Sequence, residues 1–267
     1  MYSVDTIVLS FFIYSLLGWV CEVVYCSIPK RRFVNRGFLY GPYLPIYGTG
    51  ATLVVVLMQP VIGSWPLVFI LSLLLTSALE YITSFLLEKL FHVKLWDYSS
   101  YPLNINGRVC ALNSTLFGLL SLFIVYIVNT PIQRFLFGLD ETMVDILSLL
   151  VVAIMSADAA VTVVRMTAFQ KAMKDLSLAK EEAEARLHLV LDQLSPSALE
   201  LVKGRLAHEI EERKERWYRS AKHFIASNPS LTVRRDDLRK QWELAKASYD
   251  EIVARRRSER KARRKDK

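Results

Sequence analysis

Long uninterrupted stretches of apolar side chains restrict this chain more than any other feature. The hydrocarbon core of a bilayer is about 30 Å thick, and a helix needs roughly 20 apolar residues to cross it. Five segments meet that length: residues 4–28, 44–62, 66–88, 110–128 and 143–164. They are too long for strands and do not alternate apolar with polar residues. In lipid the backbone must satisfy its own hydrogen bonds, which helices do. The pattern predicts an all-α fold: a polytopic membrane bundle of five transmembrane helices in residues 1–165, then a basic cytoplasmic tail, helical or coiled-coil, in residues 166–267. The first run has no basic segment before it and no cleavage site after it, so it reads as a retained span and not as a signal peptide.

Charge divides the chain at the same place. The first 164 residues hold 8 of the 34 Lys and Arg and 9 of the 26 Asp and Glu; the remainder carries a net +9. Basic residues in short loops set orientation. Lys30, Arg31, Arg32 and Arg36 follow the first run, and Lys89, Lys94 and Arg108 follow the third. Only Arg134 falls on the opposite side. The N-terminus is therefore expected outside and the tail inside. The Gly- and Pro-rich residues 37–50 read as an interfacial turn or a short re-entrant piece.

Ionisable groups within the spans cost about 2.5–3.5 kcal/mol or more at a helix centre. This chain has Glu22, Glu80, Glu88, Asp145 and Asp158. Counted at 1.5 Å per residue from the cytoplasmic ends of their spans, Glu22, Glu80 and Asp158 lie roughly 9–12 Å deep. Asn113 sits at the same end of the fourth span. Glu22, Glu80, Asn113 and Asp158 are expected to converge on one polar site open to the cytoplasm, with Arg108 and Arg165 as counter-charges. The alternative is that these groups satisfy one another and only lock helix packing. Residues 95–108, with Asp97, Asn104 and Asn106 among three aromatics, read as an ordered cap over that site.

No H-E-x-x-H, G-x-S-x-G or P-loop motif occurs, so no catalytic activity is assigned and ATP hydrolysis is not expected of this chain. Cys21, Cys26 and Cys110 read as buried small hydrophobes, and none of the four histidines has metal-ligand spacing. No cofactor is expected, and a metal is left undetermined.

Beyond residue 165 the fifth run continues as a helix, with Leu176, Ala183, Leu187, Val190 and Leu194 at heptad spacing. Ser195 and Pro196 suit the N-cap and first position of a second helix, and Ser197 with Glu200 offers a capping box in their place. A third helix carries Leu238, Trp242, Ala245, Tyr249 and Ile252. An antiparallel hairpin and a dimeric coiled coil bury these stripes equally well. The basic end, with Arg255, Arg256, Arg257, Arg263 and Arg264, is tethered beside a membrane. Anionic lipid is its expected partner, and nucleic acid is not; a solvated end is the alternative.

Several short motifs go further: Gly18-Trp19 with Cys21-Glu22, Gly37-Phe38-Leu39-Tyr40-Gly41-Pro42, Pro45-Ile46-Tyr47-Gly48, Leu79-Glu80-Tyr81, Leu87-Glu88-Lys89, Trp96-Asp97-Tyr98-Ser99 and Asn104-Ile105-Asn106-Gly107-Arg108. Over residues 5–165 the chain resembles a bacterial family described as putative ABC-transporter type IV, or CmpB-like permease. The resemblance implies a transport-associated protein of the cell inner membrane with a separate ATPase subunit. Its best-matching positions include Glu22, Glu80, Asp97, Asn104, Asn106 and Arg108. Five helices make a thin pathway, so a homodimer is expected. Two rival readings stand beside it. One is an intramembrane protein or enzyme binding a metal or a phosphate headgroup. The other is a membrane anchor whose tail recruits a cytosolic partner.

Overall fold

The computed structural model describes residues 3–31, 33–190, 195–228, 231–233 and 236–265. The chain is helical in both of its compact units. One unit runs up to Val163 and takes in Ala226–Thr232; the other comprises Val164–Ile225 and the residues from Val233 onward.

In the first unit, α1 (Val4–Lys30) begins where the Ser3 hydroxyl accepts the Thr6 N–H at 3.1 Å, with Asp5 in the first turn. Both features suit the positive end of a helix. It ends at Arg31, which is left-handed at φ 46° and donates its N–H to the Ile28 carbonyl. Next come α2 (Pro45–Leu57), α3 (Trp65–Phe91) and α4 (Ala111–Phe137), and α5 (Glu141–Val190) leads into the second unit. Among the described residues, α1, α3, α4 and α5 are long and apolar enough to cross a membrane.

The expected span at residues 44–62 takes a different form. Helix α2 has 13 residues and is followed by a 3-10 turn at Gln59–Val61. Thirteen residues rise about 20 Å, short of a bilayer core. The cause lies upstream. Residues 33–44 are not helical and run alongside α1 as far as its middle, where the Leu44 N–H donates to the Ser15 carbonyl at 3.0 Å. Pro45 then starts the helix with its φ already set and no N–H to orphan. Gly48 lies against the Phe11 carbonyl and the Ser15 hydroxyl, and Gly18 against the Tyr47 Cβ. Glycine on each helix permits this approach, the usual device where helices cannot rely on a hydrophobic drive.

Helix α4 runs past residue 128, where the sequence pattern ends, because a π turn at Ile124–Val128 carries it on to Phe137. Asn129 and Gln133 then face α1: Tyr14 Oη donates to Asn129 Oδ1 at 2.8 Å, and Gln133 Nε2 to Ser10 Oγ at 3.0 Å. An apolar cluster of Tyr14, Ala51, Val54, Val55, Met58, Val68 and Val125 fills the space between α1, α2, α3 and α4.

The second unit packs the later part of α5 with α6 (Pro196–Ser227) and α7 (Asp236–Lys265). Phe169 is its centre, with ring centroids 6.2 Å from Trp217, 5.8 Å from Phe224 and 6.3 Å from Trp242. Met166, Met173, Leu176, Ala183, Ala221, Ala245 and Ile252 are buried with it. Leu176, Ala183, Trp242, Ala245 and Ile252 of the expected stripes are thus buried, while the side chains of Val190, Leu194 and Leu238 lie outside the described residues. The Ala198 N–H reaches the Ser195 hydroxyl at 3.4 Å, in keeping with Ser195 as the N-cap of α6.

Candidate functional site

Glu22 and Glu80 line a cavity of about 360 Å³ in the first unit, together with parts of the non-helical residues 36–44, α2, the loop after α3, and α4. Pockets that hold small molecules are typically about 300–1,000 Å³ and mostly apolar, with a few placed polar groups. Here the apolar wall is Leu39, Leu44, Leu79, Leu87, Leu120 and Ile124, and the aromatic side chains include Phe38, Tyr47, Tyr98 and Phe117.

Glu22 is well served. Its Oε1 accepts from Tyr47 Oη at 2.7 Å. Its Oε2 lies 3.4 Å from Arg36 Nε and 3.6 Å from Cys26 Sγ. Arg36 also donates through Nη1 to the Ser227 carbonyl at 3.1 Å, and the neighbouring Asn228 amide donates to the Gly37 carbonyl at 3.1 Å. Glu80 differs. It is 5 % exposed, its Oε1 accepts from Tyr98 Oη at 3.1 Å, and its Oε2 has no hydrogen-bond partner among the described residues.

Asp158 does not line the cavity; Ala159 beside it does. Its carboxylate instead accepts the N–H groups of Tyr40 at 3.1 Å and Gly41 at 2.8 Å, the Tyr43 hydroxyl at 2.6 Å and the Thr162 hydroxyl at 3.2 Å. Non-helical backbone at membrane depth needs such donors satisfied by protein, and Asp158 supplies the acceptor. Asn113 is half-buried on the first turn of α4, outside the cavity lining. The adjacent Ser114 hydroxyl meets Ser77 Oγ at 2.7 Å.

The loop after α3 is ordered largely by its own polar side chains. Asp97 Oδ1 accepts the Ser99 N–H and hydroxyl. Asn104 Oδ1 accepts the Gly107 N–H at 3.0 Å, while its amide donates to the Tyr101 carbonyl at 2.8 Å. Asn106 donates to Tyr81 Oη at 3.0 Å. Asn104–Ile105 pairs antiparallel with Val109–Cys110, and the turn between them uses left-handed Asn106 and Gly107. Asp97, Asn104 and Asn106 therefore shape the loop, and the loop delivers Trp96 and Tyr98 to the cavity wall.

Arg108 is not the counter-charge of Glu22. It is 5 % exposed, pairs with Glu88 at 2.7 Å, and sits 5.4 Å from the ring centroids of both Tyr81 and Phe85. Arg165 belongs to the second unit. The cation on Glu22 is Arg36, which sequence reasoning used only to orient the spans. Tyr47 and Tyr98, which entered there only as members of short motifs, supply the hydroxyls that the two glutamates accept. A hydroxyl 18 or 25 residues from its carboxylate leaves no periodic signature, so only the fold could join them.

In the second unit, Arg255 is taken up by Glu211 and Glu215, and Arg256 by Glu215 and the ring of Tyr218. The side chains of Arg257, Arg263 and Arg264 lie outside the described residues.

No curated protein and no solved structure matches the chain. A family model does, over residues 9–163, which covers α1 from Leu9 onward, α2 to α4, the first turns of α5, and every residue of the cavity except Asn228. The chain belongs to the family described as Putative ABC-transporter type IV.

Proposed function

We propose that this protein is a permease-type component of a membrane transporter, that the cavity bearing Glu22 and Glu80 is its substrate site, and that a separate ATPase subunit supplies the energy. The observation that carries the reading is the pairing of a mostly apolar cavity with two carboxylates from different helices, one of them with an unpartnered oxygen. A group that only stitched helices together would spend its hydrogen bonds on its neighbours, as Asp158 does. Burying an unsatisfied charged group costs stability, and a site that receives a ligand accounts for that cost.

In this reading the basic residues 30–36, 94 and 108 face the cytoplasm, as does the tail. The non-helical residues 33–44 and α2 together make the fifth passage of the chain. Arg257, Arg263 and Arg264 meet anionic lipid, and two copies of the chain assemble. The test is purification of the tagged protein from its native membrane, with ATP-dependent uptake by the reconstituted complex. A co-purifying ATPase whose coupled uptake is lost in Glu22→Gln and Glu80→Gln supports the proposal. Isolation without any ATPase, or uptake indifferent to both substitutions, would sink it. Labelling of residues 30–36 by an impermeant reagent from outside the cell would overturn the orientation.

A further inference from the structure

We infer that the cavity accepts an organic cation: a small apolar or aromatic body bearing one protonated amine, whose N–H is received by Glu80 Oε2. The inference rests on the reading of this cavity as a substrate site and narrows its substrate class.

Charge is the first argument. The charged side chains lining the cavity are Glu22, Arg36 and Glu80. Arg36 lies on Glu22 at 3.4 Å, so with both carboxyls ionised the lining carries one negative charge in excess, on Glu80. An anion entering here would meet that charge at low dielectric, and a cation would be drawn to it.

The second argument is the unserved oxygen. Glu80 is 5 % exposed, and Tyr98 occupies only Oε1. A carboxylate oxygen is an acceptor alone, so its missing partner must be a donor. An ammonium N–H meets both needs, charge and hydrogen bond, whereas a quaternary ammonium would leave the acceptor unused. Tyr47, Tyr98 and Phe38 also line the cavity, and aromatic rings attract cations. The rest of the ligand lies against Leu79, Leu87, Leu120 and Ile124, which offer no polar partner and select for a hydrocarbon body.

The experiment compares three probes of one shape, 4-phenylbutylamine, 4-phenylbutanol and 4-phenylbutyrate, binding to the full-length protein in nanodiscs, with binding to empty nanodiscs subtracted. The amine should bind at least about tenfold more tightly than the alcohol, the difference expected of one charge-assisted hydrogen bond. The carboxylate should not bind. In Glu80→Gln, which keeps the side-chain volume, the amine's advantage over the alcohol should vanish; elution volume and melting temperature without probe check its fold. The wild-type comparison stands alone if that variant fails to fold. Equal binding of amine and alcohol overturns the charge assignment and leaves the cavity as a substrate site. Tighter binding of the carboxylate does the same. No saturable binding of any of the three overturns both.

Discussion

Glu22, Glu80 and Asp158 are held in three distinct ways, and each predicts a different response to substitution. Asp158 accepts two backbone N–H groups and two hydroxyls. Asp158→Ala leaves those donors unmet at about 1–3 kcal/mol each where no replacement is found. We expect a loss of at least about 3 kcal/mol, read as a clear fall in melting temperature in nanodiscs. Glu22→Gln keeps an acceptor for Tyr47 but removes the ion pair with Arg36, and a loss of about 1 kcal/mol is expected. Glu80→Gln should be neutral or stabilising, because it removes a buried charge that lacks a counter-ion. A Glu80→Gln protein melting well below the Glu22→Gln protein would show that Glu80 serves packing after all.

At the scale of elements, the contact of α1 with α2 depends on Gly48. A Cβ there would run into the Phe11 carbonyl and the Ser15 hydroxyl, and backbone cannot step aside. Gly48→Ala should therefore cost roughly 1–3 kcal/mol. Gly63, which has open space around it between α2 and α3, should accept alanine with little change in melting temperature. The tail helices α6 and α7 are clipped together by Arg255, Glu211 and Glu215. The Arg255 guanidinium holds the Glu211 carboxyl below its usual range. A carboxyl so lowered contributes stability above the ordinary glutamate value near about 4.3 and loses it as pH falls further. Arg255 and Glu211 are 44 % and 37 % exposed, so the contribution is modest, about 0.2–1 kcal/mol. Tail unfolding followed by near-ultraviolet circular dichroism should shift downward from pH 7 to pH 3.5, and the shift should shrink in Arg255→Ala. The same scale shows what the sequence could not convey. Apolar length alone picked out α1, α3, α4 and α5, the helices long and apolar enough to cross a membrane. The window over residues 44–62 is equally apolar, yet it folds as a short helix because Asp158, more than a hundred residues away, binds the backbone in front of it. Heptad spacing likewise marked the tail helices, but only the packing shows that Phe169 meets both Trp217 and Trp242.

For the whole molecule, one segment breaks the order in which the two compact units otherwise follow each other along the sequence. Ala226–Thr232 returns to the first unit, where the Ser227 carbonyl receives Arg36 and the Asn228 amide holds Gly37. Nothing in the pattern around Asn228-Pro229-Ser230 signals this, since a turn former there reads only as a helix break. Asn228→Ala should lower the melting temperature of the full chain, and removal of every residue after 164 should lower it more. The order of synthesis gives this return visit a temporal meaning. Ribosomes deliver the helices of the first unit early, yet the wall beside Arg36 cannot be finished until Ala226–Thr232 has been made, about 60 residues after Val163. Maturation of the part made first thus waits on a segment made well after it, and a nascent protein stalled before Ala226 carries an unsealed cavity.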